Sequence, residues 1–348
     1  MFRFRSVVVL TALTVSAAWS VPARADAVAD FYKGKQINMY IGSDTGGGYD
    51  LYARVVGRRL ANHIPGNPSI IPKNMAGAGS LTMTNYVSNV APKDGTAIGA
   101  PQNIIPFEGL LHILSPNGEK AQFDSTKLNW LGSASRDLYL VLNWYTSPVK
   151  TFADLKTTQM VVGSSGPSTE HSTTATLFNN VFKTKFKIVT GYPGSADVML
   201  AMQRGEVEGI SGHGYSSLMS EYSDLVKEKK IRILMQFGME PSPQLKDVPF
   251  ALDLVETEFD REVLQFIFTK YDILRLYFVP AGVPADRVAA LRTAFDETMK
   301  DPGFLADAEK AKIEVAPVSG VEVQKLIADL YQMPKNVVEK ASALMTAK

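Results

Sequence analysis

The chain has 348 residues, 45% hydrophobic and 20% charged, with 36 basic and 35 acidic side chains and a net charge of +1. That length allows two ordinary domains. The composition excludes a disordered chain, and the near-neutral balance excludes a strong electrostatic pull toward nucleic acid or an acidic membrane. No cysteine is present, which excludes disulfides, thiol catalysis and thiolate metal sites.

The N-terminus reads as a secretory signal. Arg3 and Arg5 precede an apolar run over residues 7–19, and Ala23 and Ala25 offer small side chains where a signal peptidase reads. Cleavage after Ala25 removes three arginines, which takes the 36 basic residues to 33 against 35 acidic ones, a net charge of −2. No second run is long enough to span a bilayer. The mature protein is therefore expected free in the periplasm.

Residues 37–41 form an apolar, strand-like run. Leu51, Val55, Leu60 and Ile64 are spaced for a helix over 51–64. Between them stand Ser43, Thr45, Gly46, Gly47, Gly48, Tyr49 and Asp50. Three glycines at a strand-to-helix turn let a ligand approach the backbone closely, and the first helical turn offers unpaired N–H groups and the positive end of its dipole. A carboxylate or phosphate suits such a place. A tight turn with no ligand is the alternative. Asp50 either caps the helix, the commoner use of aspartate there, or holds the loop.

Residues 69–75 predict a second strand. Gly77, Ala78, Gly79 and Ser80 follow, with Ser80 as N-cap of a helix over 81–90. A turn at 92–95 leads into a short strand over 96–100, which ends near Asn103. Residues 104–114 read as a helix and 115–127 as a loop. A second block opens with a buried strand over 138–144, then a short helix over 151–156 capped by Thr151 and a strand over 160–163. The small polar turn Ser164, Ser165, Gly166, Ser168 and Thr169 precedes a helix over 171–182. A strand over 187–190 ends at Tyr192, Gly194 and Ser195, before a helix over 196–205. Then come a strand over 206–210, a loop over 211–214, a helix over 216–227 and a strand over 231–236. A proline-rich connection over 240–249, a helix over 252–268 and a strand over 274–279 lead to terminal helices over 286–300, 321–331 and 337–344.

This alternation predicts a mainly parallel α/β fold in two lobes, with the chain crossing between them near 138–144 and 274–279. The division reads as a signal peptide over 1–25, lobe 1 over 26–137 and 275–348, and lobe 2 over 138–274. Ligands of open α/β sheets lie at the carboxyl ends of strands. Four glycine- or serine-rich turns fall there, two from each lobe, and together they predict a cleft lined by backbone donors and hydroxyls.

Other residues have plainer readings. Arg136 could grip a ligand carboxylate, or pair with Asp137 or another surface acid. His171 and His213 lack a metal-ligand spacing, so no metal is expected. Tyr49, Tyr192 and Tyr215 are candidates for cleft walls or for ordinary half-buried tyrosines, and the aromatic stretch 266–278 reads as core. Gly163-Ser164-Ser165-Gly166-Pro167 fails the nucleophile elbow at its last position, and neither a dinucleotide fingerprint nor a Walker lysine is present. A secreted hydrolase would have to use the Ser168 and His171 spacing. No catalysis and no cofactor are expected.

The run of signal peptide, strand, triple glycine and Asp50, then Pro72 to Gly79 and Ala91-Pro92-Lys93-Asp94-Gly95, resembles the Bug receptors, the extracytoplasmic solute receptors of tripartite tricarboxylate transporters. Tyr192-Pro193-Gly194-Ser195, Arg204-Gly205-Glu206-Val207-Glu208, Val248-Pro249 and Pro280-Ala281-Gly282-Val283-Pro284 extend the resemblance over nearly the whole mature chain. It implies a type II-like periplasmic binding protein, two Rossmann-like lobes joined by a two-strand hinge. Such a protein closes on a small organic carboxylate and delivers it to membrane components, as a monomer without nucleic acid. It implies a ligand cradled by the loop of Ser43 and Thr45–Gly48 and the turn 164–169, with 77–80, Asn103 and 192–195 lining the same cleft. Three departures stand out: Tyr49 replaces a small residue, 164–171 is about one residue shorter, and 268–277 is bulkier and more charged. A receptor for phosphate or sulfonate in another transporter class is the remaining alternative.

Overall fold

The structure is a computed structural model that describes residues 23–111, 121–167 and 169–345. The signal segment up to residue 22, part of the predicted 104–114 helix and Ser168 lie outside the described residues.

The chain opens with β1 (Gln36–Ile41), β2 (Ser69–Asn74), β3 (Ala97–Ala100) and β4 (Asn129–Ser133). It continues with β5 (Tyr139–Trp144), β6 (Met160–Gly163), β7 (Phe186–Val189), β8 (Gly209–Gly214) and β9 (Ile231–Phe237). It returns with β10 (Leu276–Val279) and β11 (Val318–Ser319). One sheet has the order β11-β4-β10-β3-β1-β2 and the other β7-β6-β8-β5-β9.

Each sheet is mixed, not mainly parallel. The parallel parts are β2-β1-β3 and β7-β6-β8; β10 runs antiparallel to both β3 and β4, and β5 to both β8 and β9. The reason is the crossings. A strand that enters one sheet straight from the other needs no helical crossover, so it can lie antiparallel. Two predicted elements change as a result. β4 is a strand that the 115–137 stretch did not announce. The predicted loop 211–214 is the end of β8, where His213 pairs with Leu140 and Gly214 with Tyr139.

The two crossings run side by side. Ala134 N donates to Arg275 O at 2.8 Å, Leu274 N to Ser135 O at 3.0 Å and Asp137 N to Tyr271 O at 3.1 Å. Apolar packing continues through this waist: Trp130 meets Phe278 at 5.5 Å between centroids, Phe107 meets Phe266 at 5.7 Å, and Phe237 meets both Tyr271 and Phe178, at 5.6 and 4.9 Å. The final helix, Lys335–Met345, packs on the helices Glu170–Phe182 and Glu258–Phe268 beside the second sheet. Asn180 Nδ2 donates to Leu344 O at 2.9 Å there. That helix ties the chain end to the second sheet.

Candidate functional site

The helix Gly48–His63 begins three residues earlier than its apolar spacing predicts. Gly47 is its N-cap, with φ −80 and ψ 169 and no side-chain cap, and the first helical bond is Leu51 N to Gly47 O at 2.9 Å. The N–H groups of Gly48, Tyr49 and Asp50 are therefore free of helical partners. Asp50 braces the loop instead of capping the helix. Its Oδ2 accepts from Gly46 N at 2.9 Å, and its Oδ1 accepts from Arg54 Nε at 2.9 Å and Asn74 Nδ2 at 2.8 Å. Burial alone would raise its pKa, but these bonds outweigh burial and hold the carboxyl below its usual range. The loop is thus set in shape by the protein's own charge.

Arg275 stands over this helix start. Its guanidinium lies 4.3 Å from the ring centroid of Tyr49 and 4.6 Å from that of Tyr52, and Nη2 is 3.5 Å from where a Cβ on Gly48 would sit. Nη1 donates to Leu274 O at 3.2 Å, while Nε is buried without a partner. No ion pair joins Arg275 to an acid among the described residues. A guanidinium and a helix N-terminus repel each other. An anion between them relieves both.

Tyr49 holds this arrangement. Its hydroxyl donates to Asn103 Oδ1 at 2.9 Å, and Asn103 Nδ2 donates to Lys270 O at 2.9 Å, so Asn103 is spent on a brace across the waist. Tyr49→Phe keeps the ring under Arg275 and removes both hydroxyl bonds to Asn103, the donated one and the long one accepted from Asn103 N at 3.4 Å. It should lower stability by about 0.5–1.5 kcal/mol in chemical unfolding; no change would mean the brace is idle.

The helix Glu170–Phe182 starts across the gap. Ser164 is buried, and its hydroxyl lies 2.8 Å from Thr169 Oγ1 and accepts from Ser172 Oγ at 2.8 Å; Thr169 Oγ1 donates to Gly166 O at 2.8 Å. These hydroxyls bind one another and shape the turn. Glu170 reaches over to the segment before β10, where its carboxylate accepts from Lys270 Nζ at 2.9 Å and from the Tyr271 hydroxyl.

Asp137 lies where the first crossing enters β5. Its Oδ2 accepts from the Ser216 hydroxyl at 2.6 Å, and Oδ1 from Ser216 N at 3.3 Å. Burial pushes its pKa up to about 6, with Glu314 adding to the rise, and no cation opposes it. His171 Nδ1 sits 3.1 Å from Ser211 O, so that nitrogen carries the proton. His213 is buried, its Nε2 has no partner, and burial lowers its pKa to about 4. Both imidazoles are neutral at pH 7. Among the described residues His171 is bonded to a backbone carbonyl and not to a carboxylate, and no group of side chains suits a metal ion.

These parts meet in a cleft of about 810 Å³ between the sheets. Gly48, Glu170 and Ser195 line it, each the first residue of a helix, together with Asp137, His213 and Arg275. Of the residues predicted to bind ligand, Gly48 and Ser195 are on this wall. Thr45, Gly46 and Gly47 are exposed in the adjoining loop, and the Ser43 hydroxyl is buried beside them without a partner. Gly77, Ala78, Gly79 and Ser80 form a run of positive φ, at 139, 41, 59 and 79. Ser80 makes no side-chain cap bond; its hydroxyl donates to Gly42 O at 2.7 Å and accepts from Gln102 N at 3.0 Å, so it ties two loops together behind the cleft. Ser165 and Gly166 are half-buried in their turn, Tyr192 packs near Gly163, and Gly194 is the N-cap before Ser195. Arg136 is exposed and acts on Asp272 and Glu322, away from Asp137.

Glu170 and Arg275 escape sequence reasoning because no motif marks them, and Asp137 and His213 enter it only as a partner for Arg136 and as a rejected metal ligand. The one signal was the unusual charge and bulk of the 268–277 stretch.

The chain folds like solute-binding proteins of known structure. A TctC solute-binding protein from Polaromonas superposes with a TM-score of 0.65 at 15% identity, over 89% of this chain and 99% of that one. R. palustris Rpa4515 with adipate gives a TM-score of 0.59 at 18% identity, over 88% and 97%. MatC from Rhodopseudomonas palustris with bound malate gives 0.58 at 16% identity, over 90% and 99%. A search of curated protein sequences returns no match. The family model described as tripartite tricarboxylate transporter family receptor matches residues 52–343, and so the chain belongs to the receptors of the tripartite tricarboxylate transporter family.

Proposed function

We propose that this receptor is periplasmic, released by cleavage of its signal peptide, non-enzymatic, and built to close on a small organic carboxylate for delivery to the membrane components of its transporter. One observation carries the reading: the unpaired Arg275 guanidinium and the open N–H groups of the Gly48 helix face the same cleft. Among the described residues neither has a carboxylate partner, and a ligand carboxylate gives each one. A division into 26–137 with 275–334 and 138–274 with the final helix 335–345 would make the paired crossings the hinge. Closure would bring the turn 164–169 and Ser195 toward the loop 45–48, and would desolvate the anion so that each donor counts for more.

The test is thermal shift of the mature protein against organic carboxylates, their uncharged amides, and inorganic phosphate and sulfonates. Carboxylates of the right skeleton should raise the melting temperature by several degrees, and their amides should not. A response to phosphate or sulfonate alone would transfer the receptor to another anion class. Gly47→Val checks the loop itself. Gly47 has φ −80, and a Cβ there meets nothing nearer than Asp44 O at 3.9 Å, so the fold accepts it. The added bulk blocks backbone approach and should weaken binding by about tenfold, the worth of one hydrogen bond to a charged group. Unchanged affinity would remove the loop from the site.

A further inference from the structure

Arg275 is not the only unpaired charge in the cleft. Asp137 is another, and the two stand at opposite ends of the same waist. Ala134 bonds to Arg275 and Asp137 bonds to Tyr271, so the paired crossings separate them by about three strand steps, roughly 10 Å at ~3.3 Å per residue. Both line the cleft, and Tyr139 lies between them, close enough to feel both charges. Glu170 on the same wall is matched by Lys270 and the Tyr271 hydroxyl; Glu309, Lys312 and Glu314 line the cleft as well, and Glu314 stands near enough to Asp137 to add to the rise in its pKa. Asp137 accepts only from Ser216 and a backbone amide, and among the described residues no cation reaches it. Near it on β8, His213 presents an Nε2 that is buried and unpartnered although His213 is only 4% exposed.

A plain dicarboxylate would satisfy Arg275 and set its second charge against Asp137 and Glu170. A ligand with a protonated amine at its far end satisfies both poles and gives a buried acid the cation it lacks. We propose that the physiological ligand is amphoteric, an amino acid in the broad sense, whose carboxylate pairs with Arg275 and whose ammonium group pairs with Asp137. This rests on the carboxylate-receptor reading and narrows it. The neutral His213 would accept a further hydrogen bond from the ammonium group.

The experiment is calorimetric and thermal-shift titration of the mature protein at pH 7.5 with three matched series. These are straight-chain ω-amino acids from glycine to 6-aminohexanoate with the common α-amino acids, the same skeletons without the amine, and dicarboxylates of equal length. The expected result is that at least one amino acid binds ten times or more tighter than its amine-free counterpart and its dicarboxylate. Asp137→Asn should erase that preference, with the amino acid losing at least tenfold more affinity than its amine-free counterpart. Equal or tighter binding of the amine-free acid or dicarboxylate in the native protein overturns the amphoteric assignment and leaves the carboxylate receptor standing. An amine preference that survives Asp137→Asn overturns it as well. Silence from all three series removes the carboxylate reading with it.

Discussion

Arg275→Met should leave the receptor folded and unable to hold its ligand. The substitution keeps an apolar stem between the rings of Tyr49 and Tyr52 and removes the guanidinium that lies 4.3 and 4.6 Å from their centroids. Two effects oppose each other in the ligand-free protein. The lost cation–π contacts cost about 0.5–1 kcal/mol each. Against this, a charge with a buried, unpartnered Nε that is pressed against a helix start disappears, which is stabilising by a similar amount. Stability should therefore change by about 1 kcal/mol or less in either direction. Binding is different. Truncating one member of a desolvated charge pair costs about 2–5 kcal/mol, which is a loss of roughly 30-fold to several thousand-fold in affinity. Isothermal titration with a ligand found by the carboxylate screen decides it. Affinity within threefold of the native protein would show that Arg275 is packing and not the anion partner.

Arg275 also marks the boundary of what the sequence discloses. The Gly46–Gly48 turn was legible because the need for close backbone approach leaves a local trace, glycines between a strand and a helix. The same holds for Ser195 at the start of its helix, and for the short helix Phe152–Thr157, whose Thr151 and Asp154 form a reciprocal capping box. Arg275 leaves no such trace. It enters the cleft because β10 returns antiparallel from the other sheet, so its neighbours Tyr49 and Tyr52 lie more than two hundred positions earlier in the chain. Ser80 shows the converse error. A serine before a helix looks like a cap, but the left-handed run 77–80 turns its hydroxyl back onto Gly42, a tertiary demand that overrides the local one. Ser164 and Asn103 show the same competition: hydroxyl and amide groups in turns are polar enough to bind a ligand, and here they also bind the protein. Only the fold discloses which polar groups are already spent.

Asp137 is hydrogen-bonded but has no cation among the described residues, and that has a cost that can be measured without any ligand. Its pKa stands at about 6, raised by burial, against about 3.9 for a free aspartate. The native state therefore binds the proton more tightly than the unfolded chain does. The penalty for ionising Asp137 is absent below about pH 4, grows as pH rises, and is complete above about pH 6. Two pKa units correspond to an upper bound of about 3 kcal/mol. Asp137→Asn removes the charge and keeps one bond from Ser216, so about 1–2 kcal/mol of that should return as stability at pH 7.5. The melting temperature of the ligand-free variant should exceed that of the native protein by a few degrees at pH 7.5 and match it at pH 4. An advantage of equal size at both pH values would mean that the carboxyl is not strained by burial. The native protein thus carries an acid that weakens it wherever it is ionised, at a position lining the cleft, and such a residue persists where function opposes stability. A cation delivered by the ligand would lift the same penalty on closure, so the open receptor would be held ready by the instability that binding removes.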